Sequence, residues 1–130
     1  VVVTEDILLV PDRTARNLQL YRRLDGKLMS SHRLESIPNG VCLISKTEVA
    51  VCLWNSKIVI LSFKSIDDVK LVKTFNVLTG FDECHSVAKW NPDKLIVSGR
   101  KREMNDDMLY WCVVNLTYGR VDSTHKVCKR

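Results

Sequence analysis

The stretch VCLISKTEVAV, from Val41 to Val51, returns as VAKWNPDKLIV, from Val87 to Val97, at an offset of 46 residues and without a gap. In each copy a short apolar run is followed by a polar turn and then by a second apolar run. This order is typical of two antiparallel β-strands joined as a hairpin. The duplication therefore predicts a repeat protein built from one supersecondary unit.

Each copy extends into a unit of four strands, because further apolar runs follow it and turn-type clusters separate them. The first complete unit predicts strands over 41–44, 49–53, 58–63 and 70–77. The next unit predicts strands over 87–90, 95–98, 109–114 and 120–124. Before them, 7–10, 18–22 and 27–33 fill the second to fourth strands of an earlier unit, whose first strand ends in 1–3. The blades are predicted to span 1–35, 36–78 and 79–130.

A unit of four antiparallel strands that repeats about every 40 to 50 residues is typical of a β-propeller blade. Asp25-Gly26 predicts a tight turn between the third and fourth strands of the first unit. The continuous apolar run VCLI predicts an inner strand buried on both faces. The charged stretch GRKREMNDDM (99–108) predicts a long loop between two strands.

The predicted fold class is therefore all-β, a partial β-propeller of about three four-stranded antiparallel blades. Closed propellers have about four to eight blades, so the chain is expected to be a piece of a larger ring of about six. The alternative is that the isolated chain self-associates, because three blades leave apolar faces and strand edges open.

Composition excludes several classes of protein. Hydrophobic residues make up 45% and charged residues 27% of the chain, which is typical of a soluble globular protein. No apolar run approaches the roughly 20 residues that span a bilayer, so no membrane partner is expected. The five cysteines are odd in number, show no CxxC pair and no zinc-ligand spacing. They predict free thiols in the reducing cytoplasm, and no cofactor or metal.

Several motifs of the chain resemble the propeller repeats of NHL type. The resemblance rests on four segments: Ile37-Pro38-Asn39-Gly40-Val41-Cys42, Val49-Ala50-Val51, Ile58-Val59-Ile60-Leu61 and Asp93-Lys94-Leu95-Ile96-Val97-Ser98. They are similar to the C-terminal propeller of tripartite-motif-like proteins of invertebrates. The resemblance implies a propeller that recognises a protein substrate or RNA. Any ubiquitin-ligase activity would then reside in an N-terminal zinc-binding module, which is absent from this sequence.

The candidate binding residues lie in two sets of connections that project from the same face of a propeller. These connections join strands two and three of a blade, or lead into its first strand. The candidates are Arg13, Arg16, Trp54, Lys57, Phe81, His85, Arg100, Lys101 and Arg102. Their cations and aromatic planes suit single-stranded RNA. Carboxylates on the same connections favour a mixed-charge rim that binds protein instead.

A catalytic role is the least favoured interpretation of the chain. Cys84 and His85 are adjacent, but neighbouring residues of a strand point to opposite faces of a sheet. An enzyme propeller would also need acidic or His ligands from several blades around the central channel. The sequence therefore predicts a non-catalytic recognition platform with a protein partner, and RNA binding is the alternative.

Overall fold

The computed structural model describes residues 2–3, 6–65, 68–75 and 82–127. All of its regular secondary structure in these ranges is strand. Sheet 1 contains β1 (Val2–Val3), β2 (Ile7–Asp12), β3 (Asn17–Arg22) and β4 (Leu28–Arg33). Sheet 2 contains β5 (Pro38–Ser45), β6 (Glu48–Leu53), β7 (Ile58–Ser65) and β8 (Asp68–Phe75). Sheet 3 contains β9 (Glu83–Asn91), β10 (Lys94–Glu103), β11 (Asp106–Asn115) and β12 (Arg120–Lys126).

The strands of each sheet follow one another in chain order and all pair antiparallel. The predicted all-β fold class, with three four-stranded sheets, is confirmed. The described residues contain no helix long and apolar enough to cross a membrane.

Sheet 2 lies between the other two sheets, and its second strand is the most deeply buried. All five residues from Val49 to Leu53 have no exposed surface. Val49, Val51 and Leu53 pack toward sheet 1, whereas Ala50 and Cys52 pack toward sheet 3. Successive side chains of a strand point to opposite faces, so one strand supplies both cores.

Burial of the first strand on both faces was predicted from the run VCLI, and it is found only in part. Val41 and Leu43 pack against the core shared with sheet 1, and Cys42 and Ile44 pack against the core shared with sheet 3. Every residue from Val41 to Ile44 in β5 is only half-buried. In β9 the equivalent Lys89 is exposed, and its Nζ donates a hydrogen bond to the carbonyl of Ile44 at 2.7 Å. The run VCLI packs at the inner edge of the sheets. Complete burial is found instead in the neighbouring strand β6.

Two apolar cores hold the three sheets together. The interface between sheets 1 and 2, called interface 1/2, includes Leu9, Leu18, Leu20, Val51, Leu53 and Leu61. The interface between sheets 2 and 3, called interface 2/3, includes Ala50, Cys52, Cys84, Leu95, Val97 and Cys112. The four described cysteines, which are these three and Cys42, carry free thiols.

The long loop predicted over 99–108 is instead the end of a hairpin. Strands β10 and β11 remain paired as far as Glu103 and Asp106. Only Met104 and Asn105 lie between them, and both have positive φ angles, of 47° and 69°. Two central residues with positive φ form the tight turn whose twist matches that of paired strands. Arg100, Lys101 and Arg102 therefore lie in strand β10.

Candidate interaction surface

One end of the three sheets gathers the connections predicted to share a face. The amide of Leu34 bonds to the carbonyl of Arg16, and the amide of Trp54 bonds to the carbonyl of Ile37, both at 2.8 Å. In sheet 3 the amide of Asp82 bonds to the carbonyl of Arg100 at 2.8 Å. In sheets 1 and 2 the bond joins the connection of strands two and three to a segment that leads into a first strand, and in sheet 3 it joins such a segment to strand β10 near its hairpin end. This end of the molecule is called the rim.

The rim over sheets 1 and 2 brings four predicted residues together. The guanidinium carbon of Arg13 lies 6.0 Å from the centroid of the Trp54 ring, a cation–π arrangement. The Trp54 side chain remains 38% exposed. Lys57 Nζ is paired with Glu35 Oε2 at 3.2 Å, and Arg16 is exposed in the same turn as Arg13.

The turn that carries Arg13 and Arg16 is set by its first residue. Asp12 Oδ1 accepts a hydrogen bond from the amide of Ala15 at 3.0 Å, as Asp side chains do in turns. The turn closes at Arg16, which has a φ of 52°. A positive φ is uncommon for a residue with a side chain, so the turn depends on the surrounding hydrogen bonds.

The rim over sheet 3 is organised by a carboxylate that sequence reasoning treated only as a charge. Glu83 is 7% exposed. Its Oε2 lies 3.0 Å from His85 Nε2, and its Oε1 is paired with Arg100 Nη2. Arg100 Nη1 also reaches Asp107 Oδ2 at 3.0 Å. In the sequence, Glu83 stands in the run Asp82-Glu83-Cys84-His85, which is far along the chain from Arg100.

His85 and Glu83 are two residues apart, so an extended strand places their side chains on the same face of the sheet. A β-bulge lies beside them. The register of β9 against β10 shifts between Ser98 and Gly99, which pair with Ser86 and Cys84. His85 is the extra residue, and a bulge re-aims side chains locally.

Carboxylates also engage the remaining residues at the end of the hairpin. Lys101 Nζ lies 3.9 Å from Glu103 Oε1, and the amide of Arg102 donates to Asp82 Oδ2 at 2.6 Å. The hydroxyl of Tyr110 donates to Glu103 at 2.5 Å. This hydrogen bond lowers the pKa of the Glu103 carboxyl and raises the pKa of the Tyr110 hydroxyl. The carboxylates were expected to reduce the positive field of the rim, and these contacts agree with that expectation.

Phe81, the remaining predicted residue, lies outside the described residues. The other eight form two local clusters. The first contains Arg13, Arg16, Trp54 and Lys57, and the second contains His85 with the strand 100–102. The residues of the first cluster lie in two equivalent connections, as the sequence predicted. In the second cluster, residues 100–102 lie in strand β10 and not in the predicted loop.

The described part of the chain offers little for metal or thiol chemistry. It contains no group of three or more His, Cys, Asp or Glu side chains that could hold a metal ion. Cys84 has no exposed surface and packs in interface 2/3, away from His85 on the rim. A hydrogen bond with Cys52, together with burial, raises the pKa of the Cys84 thiol. A thiol held in its neutral form is a poor nucleophile.

Comparison with known proteins identifies the fold. No protein-family model matches the chain, and no curated protein matches it. Among solved structures, the WD40 β-propeller domain of Doa1 superposes with a TM-score of 0.74 at 12% identity, covering 98% of this chain and 38% of that one. The chain has the fold of consecutive β-propeller blades.

Two further structures give similar agreement. A protein of unknown function from Desulfotomaculum acetoxidans has a TM-score of 0.74 at 9% identity, over 95% of this chain and 38% of that chain. The hydrazine synthase of Kuenenia stuttgartiensis has a TM-score of 0.75 at 10% identity, over 94% and 34%. This chain therefore spans less than two-fifths of each of the three structures. Sheets 1, 2 and 3 are blades of this fold.

Proposed function

We propose that the chain is a non-catalytic recognition platform that binds a protein partner through its rim. The observation that carries the proposal is the pairing of rim cations with carboxylates, as in Lys57–Glu35 and Arg100–Glu83. These ion pairs reduce the positive charge of the rim, and beside them lies a half-exposed Trp54 with Arg13 over its ring. Exposed Trp and Arg side chains with polar surroundings are the residues on which protein interfaces most depend.

A finer form of the proposal concerns the partner. The resemblance to tripartite-motif-like propellers supports a substrate that is presented to an attached ubiquitin ligase. The free thiols of the four described cysteines support a cytoplasmic location for this role.

Affinity capture from cell extract, quantified by mass spectrometry, tests the protein proposal. The rim variant is Arg13→Glu with Trp54→Ala. Its matched control is Arg120→Glu with Tyr118→Ala, because these residues form a second cation–π pair, at 5.0 Å, in the turn between β11 and β12 at the opposite end. Proteins captured by the wild type and the control should be lost with the rim variant. Equal capture by all three chains would contradict the proposal.

RNA binding is the second candidate, and a specific observation favours it. Arg13, Arg16 and Arg102 have no carboxylate partner for their guanidinium groups among the described residues. RNA phosphates attract such cations, and exposed aromatic rings stack on bases. Binding of a fluorescein-labelled single-stranded RNA should then weaken steeply as salt rises, by about tenfold or more between roughly 50 and 200 mM. A flat response to salt, or unchanged affinity in Arg102→Glu, would rule this candidate out.

A further inference from the structure

Grooves separate the outer strands of neighbouring sheets, on the sides of the molecule rather than on the rim. The groove between sheets 1 and 2, called groove 1/2, has a volume of about 420 Å³. The groove between sheets 2 and 3, called groove 2/3, has a volume of about 230 Å³. Ligand-binding clefts have volumes of about 300 to 1,000 Å³, so groove 1/2 has the size of a binding site and groove 2/3 is smaller.

The floor of groove 1/2 is apolar and buried. It is lined by Leu34, Val59 and Leu61, which belong to interface 1/2 and are at most 5% exposed. The wall on sheet 2 contributes Leu71, which pairs directly with Leu61 but is 56% exposed. An apolar side chain placed in the groove would therefore contact this apolar floor and cover Leu71, which is exposed to water.

The two walls of groove 1/2 are the outermost strands of their sheets. Strand β4 supplies His32 and Arg33, and strand β8 supplies Leu71 and Thr74. No further strand of the described chain pairs with the outer side of either strand. An unpaired edge offers backbone N–H and C=O groups to any extended chain that lies beside it.

The charges at the rim end of groove 1/2 are mainly positive. Arg33 is exposed, and its guanidinium group has no hydrogen bond or ion pair within the described ranges. Lys57 also lines the groove there, paired at 3.2 Å with Glu35. A guanidinium fits a carboxylate through two parallel hydrogen bonds, so this end suits an acidic side chain. Groove 2/3 instead carries Glu48 beside Lys73.

We propose that groove 1/2 binds a short extended peptide that carries alternate apolar side chains followed by an acidic residue. The apolar side chains contact Leu34, Leu61 and Leu71. The backbone lies along an open edge of β4 or β8. The acidic residue lies toward the rim, where its carboxylate pairs with Arg33. The groove and the rim are separate surfaces, although Lys57 borders both.

Fluorescence anisotropy with a labelled synthetic peptide tests the proposal directly. The probe is Gly-Leu-Thr-Leu-Thr-Glu-Glu, in which alternation places both leucines on one side of an extended chain. One control peptide replaces both leucines with serine, and another replaces both glutamates with lysine. The probe should bind at least about tenfold more tightly than either control peptide. Equal affinity for the three peptides would overturn the proposal.

Neighbouring residues of β8 provide matched variants of the protein. Leu71 lines groove 1/2 and is 56% exposed, whereas Val72 lines groove 2/3 and is 46% exposed. Leu71→Glu should weaken binding of the probe about tenfold or more, and Val72→Glu should leave it within about twofold. Thermal unfolding of both variants establishes that they fold alike. Equal loss of binding in the two variants would contradict the location.

The charge at the rim end is tested with a second pair of variants. Arg33→Glu should weaken binding of the glutamate peptide severalfold and should strengthen binding of the lysine peptide. Arg120→Glu, on the outer strand of sheet 3, should change neither affinity.

The rim variant Arg13→Glu with Trp54→Ala should keep the affinity for the probe. If the rim variant loses the probe while Leu71→Glu keeps it, the peptide binds at the rim and the groove proposal fails, whereas the proposed function stands.

Discussion

Interfaces 1/2 and 2/3 join sheets of the same design with side chains of different size. Interface 1/2 is filled by large aliphatic residues such as Leu9, Leu20 and Leu61. Interface 2/3 combines aliphatic residues such as Ile58 and Leu95 with Ala50 and three cysteines. Smaller side chains allow two sheets to come closer, because packing density must remain high in both cores. One repeated strand pattern is thus compatible with two kinds of core.

The inner edge of interface 2/3 shows how close the approach is. A Cβ atom placed on Gly40 would lie 3.2 Å from the Cα of Ser86 and 3.2 Å from Cys52 Sγ. The side chain of Asn39 donates to the carbonyl of Cys84 at 2.6 Å across the same seam. Interface 2/3 therefore adds small residues and a cross-sheet hydrogen bond to its apolar core, whereas interface 1/2 is filled mainly by larger aliphatic side chains.

Truncation of a leucine in interface 1/2 should have the largest effect. Leu61→Ala removes a fully buried side chain, so the free energy of unfolding should fall by about 2 to 5 kcal/mol. Cys112→Ala in interface 2/3 removes one sulfur atom and should cost less. Urea unfolding followed by tryptophan fluorescence measures both. Leu71→Ala is the control, because Leu71 pairs with Leu61 but is exposed. Equal losses at Leu61 and Cys112 would remove the distinction between the interfaces.

Enlarging Gly40 should have the next largest effect. Gly40→Val inserts side-chain atoms against the backbone of Ser86 and should lower the free energy of unfolding by about 1 to 3 kcal/mol. Adding Cys52→Ala should restore part of the loss, since it removes the other close atom, Cys52 Sγ. Stability unaffected by Gly40→Val would show that the two inner strands are free to move apart.

Removal of the cross-sheet hydrogen bond should cost about 1 kcal/mol. In Asn39→Ala the carbonyl of Cys84 loses its side-chain donor, and a partly buried hydrogen bond contributes about this much. The same urea titration measures the loss, and Asn39→Asp is the matched variant because it keeps the size but not the donor. Full stability in Asn39→Asp would show that packing, not the bond, matters at this position.

A small pH effect should distinguish the cysteine-containing interface. Burial raises the pKa of the Cys112 thiol to about 11, above its ordinary value in the unfolded chain. Below the ordinary pKa the thiol is neutral in both states, and its contribution to stability is complete. The contribution is lost as pH rises toward about 11. At about pH 9 the loss should be well under about 1 kcal/mol. Wild type should therefore lose more stability than Cys112→Ala between about pH 8 and pH 10; parallel losses would contradict this.

Much of the fold could be predicted from the sequence, because strand runs and turn signals are local. The Asp25-Gly26 turn was predicted correctly, and Gly26 has a φ of 69°. The hairpin turn at Met104 and Asn105 was missed, since Met gives no signal for a positive φ. The charged residues around it also resembled a solvated loop. In the structure Arg100 of this hairpin pairs with Asp107 across the two strands.

The candidate site could be predicted only in part. Turn positions correctly grouped Arg13 with Trp54, because equivalent connections of successive blades meet at one end. The role of Glu83 was not evident, since its burial and its pairing with Arg100 depend on the neighbouring strand β10. Groove 1/2 left no trace in the sequence, because His32 and Leu71 meet only through the packing of separate sheets.

The sequence by itself determined the repeated unit, the strands and the end of the molecule at which connections collect. These features follow from side-chain period and turn chemistry, which act over a few residues. Tertiary structure alone decided which strand is fully buried, which carboxylates neutralise the rim cations and where a groove remains between outer strands. Those outcomes depend on contacts between residues tens of positions apart, such as Asn39 with Cys84, which no local pattern encodes.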